Sequence, residues 1–195
     1  MLKERTKSFN VQKTKLNLIH IPSGSFEMGT TLSEKELLQL AKKYQIFPDW
    51  ILKEFPKHKL HLNSFYISEY PINIATFLTF VENNKTVKLS KHLIHNLKTL
   101  PKDHPVWPIT YREAKLFCIW LSNKYNSYFR LPTEAEWEKS CRGKQSYTYP
   151  WGNQTNILPL NIKTTGKGVP VKNGYYKKNC SPYGVKDLAG NIEEI

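Results

Sequence analysis

The chain of 195 residues has only three cysteines, Cys118, Cys141 and Cys180. They are too few and too scattered for a disulfide scaffold, and none belongs to a Cys-x-x-Cys pair that could seed a metal site. No apolar run reaches the roughly 18–20 residues that a membrane-spanning helix needs. Residues 1–10 are charged and lack the apolar stretch of a secretory leader, so a cytoplasmic location is expected. Acid is also scarce. Sixteen Asp and Glu face 29 Lys and Arg, a formal net charge of +13. Between residues 153 and 186 there is no acid, only lysine. A second basic stretch covers residues 85–102.

Such charge can attract phosphate backbones or anionic surfaces. Here the lysines are dispersed among Thr, Gly, Asn and Tyr, and lysine far outnumbers arginine, the better reader of bases. Composition therefore points away from nucleic acid, and the plain reading of these stretches is solvated loops. What the chain has in plenty is aromatic side chains, 13% of all residues. That excludes a disordered polymer and suits one folded domain.

Alternation over residues 16–21 predicts a strand, followed by a turn and a short strand at 26–28. Residues 1–16 read as a basic N-terminal arm, with a first edge strand as the other reading. Ser33 and Glu36 form a capping box that opens a helix over 33–44, and Pro48 is expected to end it. Residues 58–70 read as one strand. Asn73 caps a helix over 71–82. Residues 83–103 are polar and basic and read as a loop. Two more capping boxes, Thr110 with Glu113 and Thr133 with Glu136, open further helices, the last ending near Gly143. No helix is expected after it. The fold class is α+β, with short helices, short strands and long irregular loops.

Four segments carry a resemblance. They are IPSGSFEMG at 21–29, HPVWPIT at 104–110, RLPTEAEWE at 130–138 with PWGN at 150–153, and YGVKDLAGN at 183–191. Together they resemble the formylglycine-generating enzyme, or sulfatase-modifying factor, family. The resemblance runs from about residue 17 to residue 195, with an inserted helical segment at 31–54. It implies a C-type lectin-like fold. The family activity it implies is oxidation of a protein cysteine to formylglycine with oxygen and copper. Non-catalytic binding domains also belong to the family.

Carried over by residue, the family's calcium turn falls on Asp187, Gly190, Ile192 and Glu194. Two carboxylates and two carbonyls are hard oxygen donors that suit calcium. A weak second calcium site falls on Asn161 and Ile162, whose further Asp has no counterpart in residues 163–169. Glu193 stands where the family has Trp. The copper-binding Cys pair lies beyond the point matching Ile195 and is absent here. The domain is thus expected to be partial, missing its C-terminal part, with apolar edges left open. Cys118 and Cys141 match disulfide positions of secreted relatives and are expected as free thiols.

The Glu134, Glu136 and Glu138 carboxylates read as scaffold, with Arg130 pairing one of them. His58 and His61 are three apart in a strand and so point to opposite faces. His92 and His95 lack further ligands nearby. Two functional readings stay open. One is an oxidoreductase-like domain inactive for want of the Cys pair. The other is a C-type lectin-like binding module that contacts a protein or anionic ligand through its basic loops at 85–102 and 163–186.

Overall fold

The computed structural model describes residues 5–154, 156, 158–162 and 166–195. A tight turn with Gln12 at φ +50° joins β1 (Thr6–Val11) to β2 (Thr14–Ile21). The strand β5 (Phe65–Ser68) pairs with the other side of β2, giving an antiparallel sheet in the order β1-β2-β5. A separate ribbon joins β3 (Gly24–Met28) to β4 (His58–Leu62). The stretch 58–70, read from sequence as one strand, is therefore two strands in two sheets. Alternation persists across the break and hides it.

Between β3 and β4 lie α1 (Glu34–Tyr44) and α2 (Pro48–Leu52). The Ser33–Glu36 box is formed, and Gln45 closes α1 in a left-handed conformation. Pro48 does not simply terminate this region. It opens α2, because its fixed φ suits the first helical position. The helix α3 (Ile74–Asn83) starts at Asn73, whose side chain accepts the Thr76 N–H.

Residues 83–103 correct the expected loop. They contain α4 (Lys91–Thr99), capped by Ser90 and anchored by buried Leu93 and Leu97. Two apolar residues four apart are enough to seat one turn-to-turn stripe. Their Lys and His neighbours mask the signal. The longest helix is α5 (Tyr111–Tyr125), and α6 (Glu134–Arg142) ends at Gly143. Both carry their predicted capping boxes.

The main core gathers Val11, Leu16, Ile74, Phe77, Phe80, Leu93, Phe117 and Leu121. Phe77, Phe80 and Phe117 form an aromatic knot, with ring centroids 5.2–5.8 Å apart. A smaller core joins Ile21 and Cys141 to Val185 and Leu188 of the C-terminal segment. That segment contains no helix among its described residues. Side chains hold it instead. Asn173 donates to the Pro71 carbonyl at 2.6 Å, and Lys186 binds Glu69 at 2.8 Å.

Candidate functional site

The helix α6 shows what its acidic motif does. Arg130 grips Glu136 with two bonds of 2.6 Å, and Glu136 also accepts the Thr133 N–H. The Arg130 bonds hold the Glu136 carboxyl below the ordinary range, against the opposing effect of burial. Glu138 accepts the Gly29 N–H at 2.8 Å and pairs with Arg142, which also binds the Gly29 carbonyl. Gly29 has φ +86°, and a Cβ there would lie 2.5 Å from the Glu54 carbonyl, so glycine is required. Glu136 and Glu138 are thus committed to holding backbone. Sequence reasoning missed Lys139. It is fully buried and donates to the Pro22 and Gly24 carbonyls at 2.8 and 2.9 Å. A lysine inside an acidic helix motif carries no sequence signal for burial.

Beside this scaffold opens a cavity of about 550 Å³. Leu18 of β2, Phe65 and Ile67 of β5, and Phe117 and Cys118 of α5 line it. Arg130, Trp137, Ile192, Glu193, Glu194 and Ile195 form its lip. The strand β5 is the outer strand of its sheet and borders this opening. Exposed Glu193 stands at the lip. Trp137 donates its indole N–H to Glu194 at 3.2 Å. As a residue Glu194 is exposed, while its carboxylate is crowded by the lip. That crowding pushes its carboxyl upward, the indole bond pulls it down, and the charge of Asp187 raises it further.

The C-terminal turn runs from Asp187 to Glu194, and its end lines the cavity. Asp187 is buried, sits at φ +60° and accepts the Gly174 N–H at 2.6 Å. Burial raises its carboxyl, opposed by the Gly174 bond. Gly190, at φ +74°, would bring a Cβ to 2.9 Å from the Asn161 carbonyl. The Gly190 carbonyl accepts the Ile192 N–H. Two side-chain oxygens of the C-terminal segment, Asn173 Oδ1 and Asn179 Oδ1, are buried without a hydrogen-bond partner. Asn179 reaches the turn through the Ala189 carbonyl and the Asp187 N–H. Asp187 supplies a buried carboxylate, and its charge raises the nearby Glu194 carboxyl, so the turn brings together two hard oxygen donors of the kind calcium takes.

Asn161 differs. Its Oδ1 accepts the Lys167 N–H, its carbonyl accepts the Asn191 N–H, and its Nδ2 binds Val169 and Asn191. The Ile162 carbonyl accepts the Gly166 N–H at 2.6 Å. A cation at Asn161 and Ile162 would have to displace these bonds.

The three thiols stand in different surroundings. Cys118 lines the cavity, Cys141 packs against Ile21 and Val185, and the Cys180 thiol donates to the Ser181 carbonyl at 3.6 Å. All three are free, and burial pushes each pKa up, Cys141 to about 12. Copper binds thiolates in a close set, and this donor set does not fit it. Among the described residues no three His, Cys, Asp or Glu come together as a metal cluster. His58 and His61 lie in β4, and His92 and His95 on α4. Of the basic stretch 163–186, residues 163–165 lie outside the described residues.

The family model for the sulfatase-modifying factor enzyme 1-like domain matches residues 4–195. The chain belongs to the sulfatase-modifying factor family. The formylglycine-generating enzyme of Mus musculus is 24% identical, over 91% of this chain and 56% of its own length. The serine/threonine-protein kinase pkn1 of Chlamydia caviae is 29% identical, over 72% of this chain and 24% of its own. The chain thus spans between a quarter and somewhat over half of these relatives. The structure of PvdO from Pseudomonas aeruginosa superimposes on 97% of this chain and 73% of that one, with a TM-score of 0.74 at 22% identity. The sulfatase-modifying factor fold, a C-type lectin-like one, is therefore the fold of this chain. No helix among the described residues is long and apolar enough to cross a membrane.

Proposed function

We propose that these residues form a non-oxidising domain of the sulfatase-modifying factor family that binds an extended peptide in its cavity. The observation that carries this reading is the cavity of about 550 Å³, apolar and bordered by the outer strand β5. An outer strand offers backbone groups for an added strand, and apolar walls select its side chains. The one thiol in the wall, Cys118, is held protonated by burial, which disfavours both nucleophilic and copper chemistry there. The residues present supply no Cys pair for the oxidation that characterises the formylglycine-generating relatives. The test uses a sulfatase peptide containing cysteine, with copper and oxygen supplied. The expected result is no change in peptide mass together with slower alkylation of Cys118. Oxidation of the peptide thiol would overturn the reading, and so would unaffected Cys118 labelling.

Calcium enters the same proposal as a structural ion. Asp187 and Glu194 would hold it with the Gly190 and Ile192 carbonyls, and the ion would supply a cross-link for a segment without regular structure. The Asn161–Ile162 pair is proposed only as a weaker site, since no carboxylate follows it in residues 163–169. Calcium should raise the melting temperature, and Asp187→Asn should abolish the rise, because a ligand that binds only the folded state stabilises it. An equal melting temperature in calcium and in chelator would contradict this.

A further inference from the structure

The two basic stretches, far apart in sequence, meet in the fold. The Asn173 N–H donates to the Asp103 carbonyl at 3.1 Å, so Lys102 and Lys172 each stand one residue from the same bond. Lys91, His95 and Lys98 follow the exposed face of α4, opposite buried Leu93 and Leu97. Lys172 and Tyr175 share one turn, closed by the Tyr175 N–H on the Lys172 carbonyl, and exposed Lys177 and Lys178 follow. Residues 85–104 hold five lysines against Asp103, and residues 166–186 hold five lysines and no acid. Asp103 is already bonded to His104, and Lys186 to Glu69. Among the described residues no other lysine of the two stretches has an acid partner. The face is complementary to a negatively charged partner.

This face adjoins the cavity. Asn173 also donates to the carbonyl of Pro71, which lines the cavity. The Val106 N–H bonds the Ile72 carbonyl, and both residues line the cavity too. Free backbone beyond β5 ends at Glu69, whose carbonyl accepts the Lys186 N–H. A chain lying on β5 therefore leaves the sheet at this end. The 172–175 turn covers the next residue, since a Cβ on Gly174 would lie 3.0 Å from the Tyr70 ring. An apolar centre with a charged rim is the layout of a polypeptide interface. Neither stretch contains arginine, the side chain that reads bases. Continuity with the cavity thus favours a peptide over a nucleic acid, and opposite charge at a rim fixes its orientation. We propose, resting on the cavity reading, that the bound peptide carries an acidic flank that crosses the lysines of α4 and of the 172–178 loop.

The test is fluorescence anisotropy with the cysteine-containing sulfatase peptide, extended at one end or the other by a run of glutamates or of glutamines. At one end the glutamate form should bind about tenfold tighter than its glutamine twin, and the gain should vanish at high salt. K98E/K102E/K172E should lose the gain while keeping its melting temperature and its affinity for the unextended peptide, because all three side chains are exposed. K35E/K42E/K43E makes the same charge change on α1 and should keep the gain. Loss of the gain in both variants would trace it to net charge and overturn the proposal. Cys118 alkylation in the same mixtures reads the cavity separately. Equal affinity of glutamate and glutamine forms, with Cys118 protected, would overturn the acidic flank and leave the cavity reading standing. Cys118 unprotected by every peptide would overturn both. Tighter binding of an oligodeoxynucleotide of equal charge, lost in K98E/K102E/K172E, would also overturn the proposal, by assigning the face to nucleic acid.

Discussion

The two halves of this domain are held by different forces. Residues 5–142 bury apolar side chains at helical and strand spacing, with Phe77, Phe80 and Phe117 at the centre. Residues 143–195 lack helices among those described and rely on side chains that bond backbone. Asn191 is the clearest case. Its amide accepts the Val171 N–H, donates to the Val171 carbonyl and accepts from Asn161. The first half gains from area removed from water, which any apolar residue of fitting shape supplies. The second gains from geometry, which one residue type at one position supplies. Substitution should therefore be graded in the first half and nearly all-or-none, at smaller amplitude, in the second.

The largest effect is expected in the aromatic knot. Phe77→Ala should cost about 3–5 kcal/mol by denaturant titration, from lost burial and the cavity left behind. Phe77→Leu should recover most of it. Next comes the asparagine network. Asn191→Ala and Asn161→Ala should each cost about 1–3 kcal/mol, because buried partners lose their hydrogen bonds. The double variant should cost less than the sum, since the two share a bond. Additive losses would break the contrast by making the second half a set of independent contacts.

A smaller effect tests the join at α6. Arg130 is about two-fifths exposed, so Arg130→Gln should cost only about 1 kcal/mol at neutral pH. The Glu136 carboxyl is depressed in the fold, chiefly by Arg130. Its contribution is complete above the unfolded value of about 4.3 and is lost as pH falls through the lower folded value. The difference between wild type and Arg130→Gln should therefore shrink on acidification below about pH 4. A constant difference would mean that the Arg130 side chain acts by packing alone. The smallest effect is on thiol chemistry. In the native protein at mildly alkaline pH, Cys141 should be alkylated last, because burial pushes its pKa to about 12 and it sits in the smaller core. Fast labelling of Cys141 would show that this core opens more readily than the first.

The contrast also explains what the sequence disclosed. Capping boxes at Ser33, Thr110 and Thr133 were legible because the signal is local, three residues apart. That Arg130 pairs with one of the α6 carboxylates was also legible, but not that the partner is Glu136, six residues on. The helix α4 was hidden because only Leu93 and Leu97 mark its buried face. The split of residues 58–70 between two sheets was hidden because strand alternation carries no partner information. In the second half, Asn161 and Asp187 were singled out as cation ligands through the family motif, and their hydrogen bonds to Lys167 and Gly174 were not foreseen. The unpartnered Asn173 and Asn179 oxygens and the buried Lys139 were not, since their roles depend on segments distant in the chain.

The most direct test of the proposed function follows one reaction by mass spectrometry. The chain is mixed with a cysteine-containing sulfatase peptide, copper and oxygen, and an alkylating agent is then added briefly. The account predicts no oxidation of the peptide thiol, which is recovered only as its alkylated form, and a slower rate of Cys118 labelling than without peptide. Peptide converted to the oxidised product, or Cys118 labelled at the same rate with and without peptide, would contradict it.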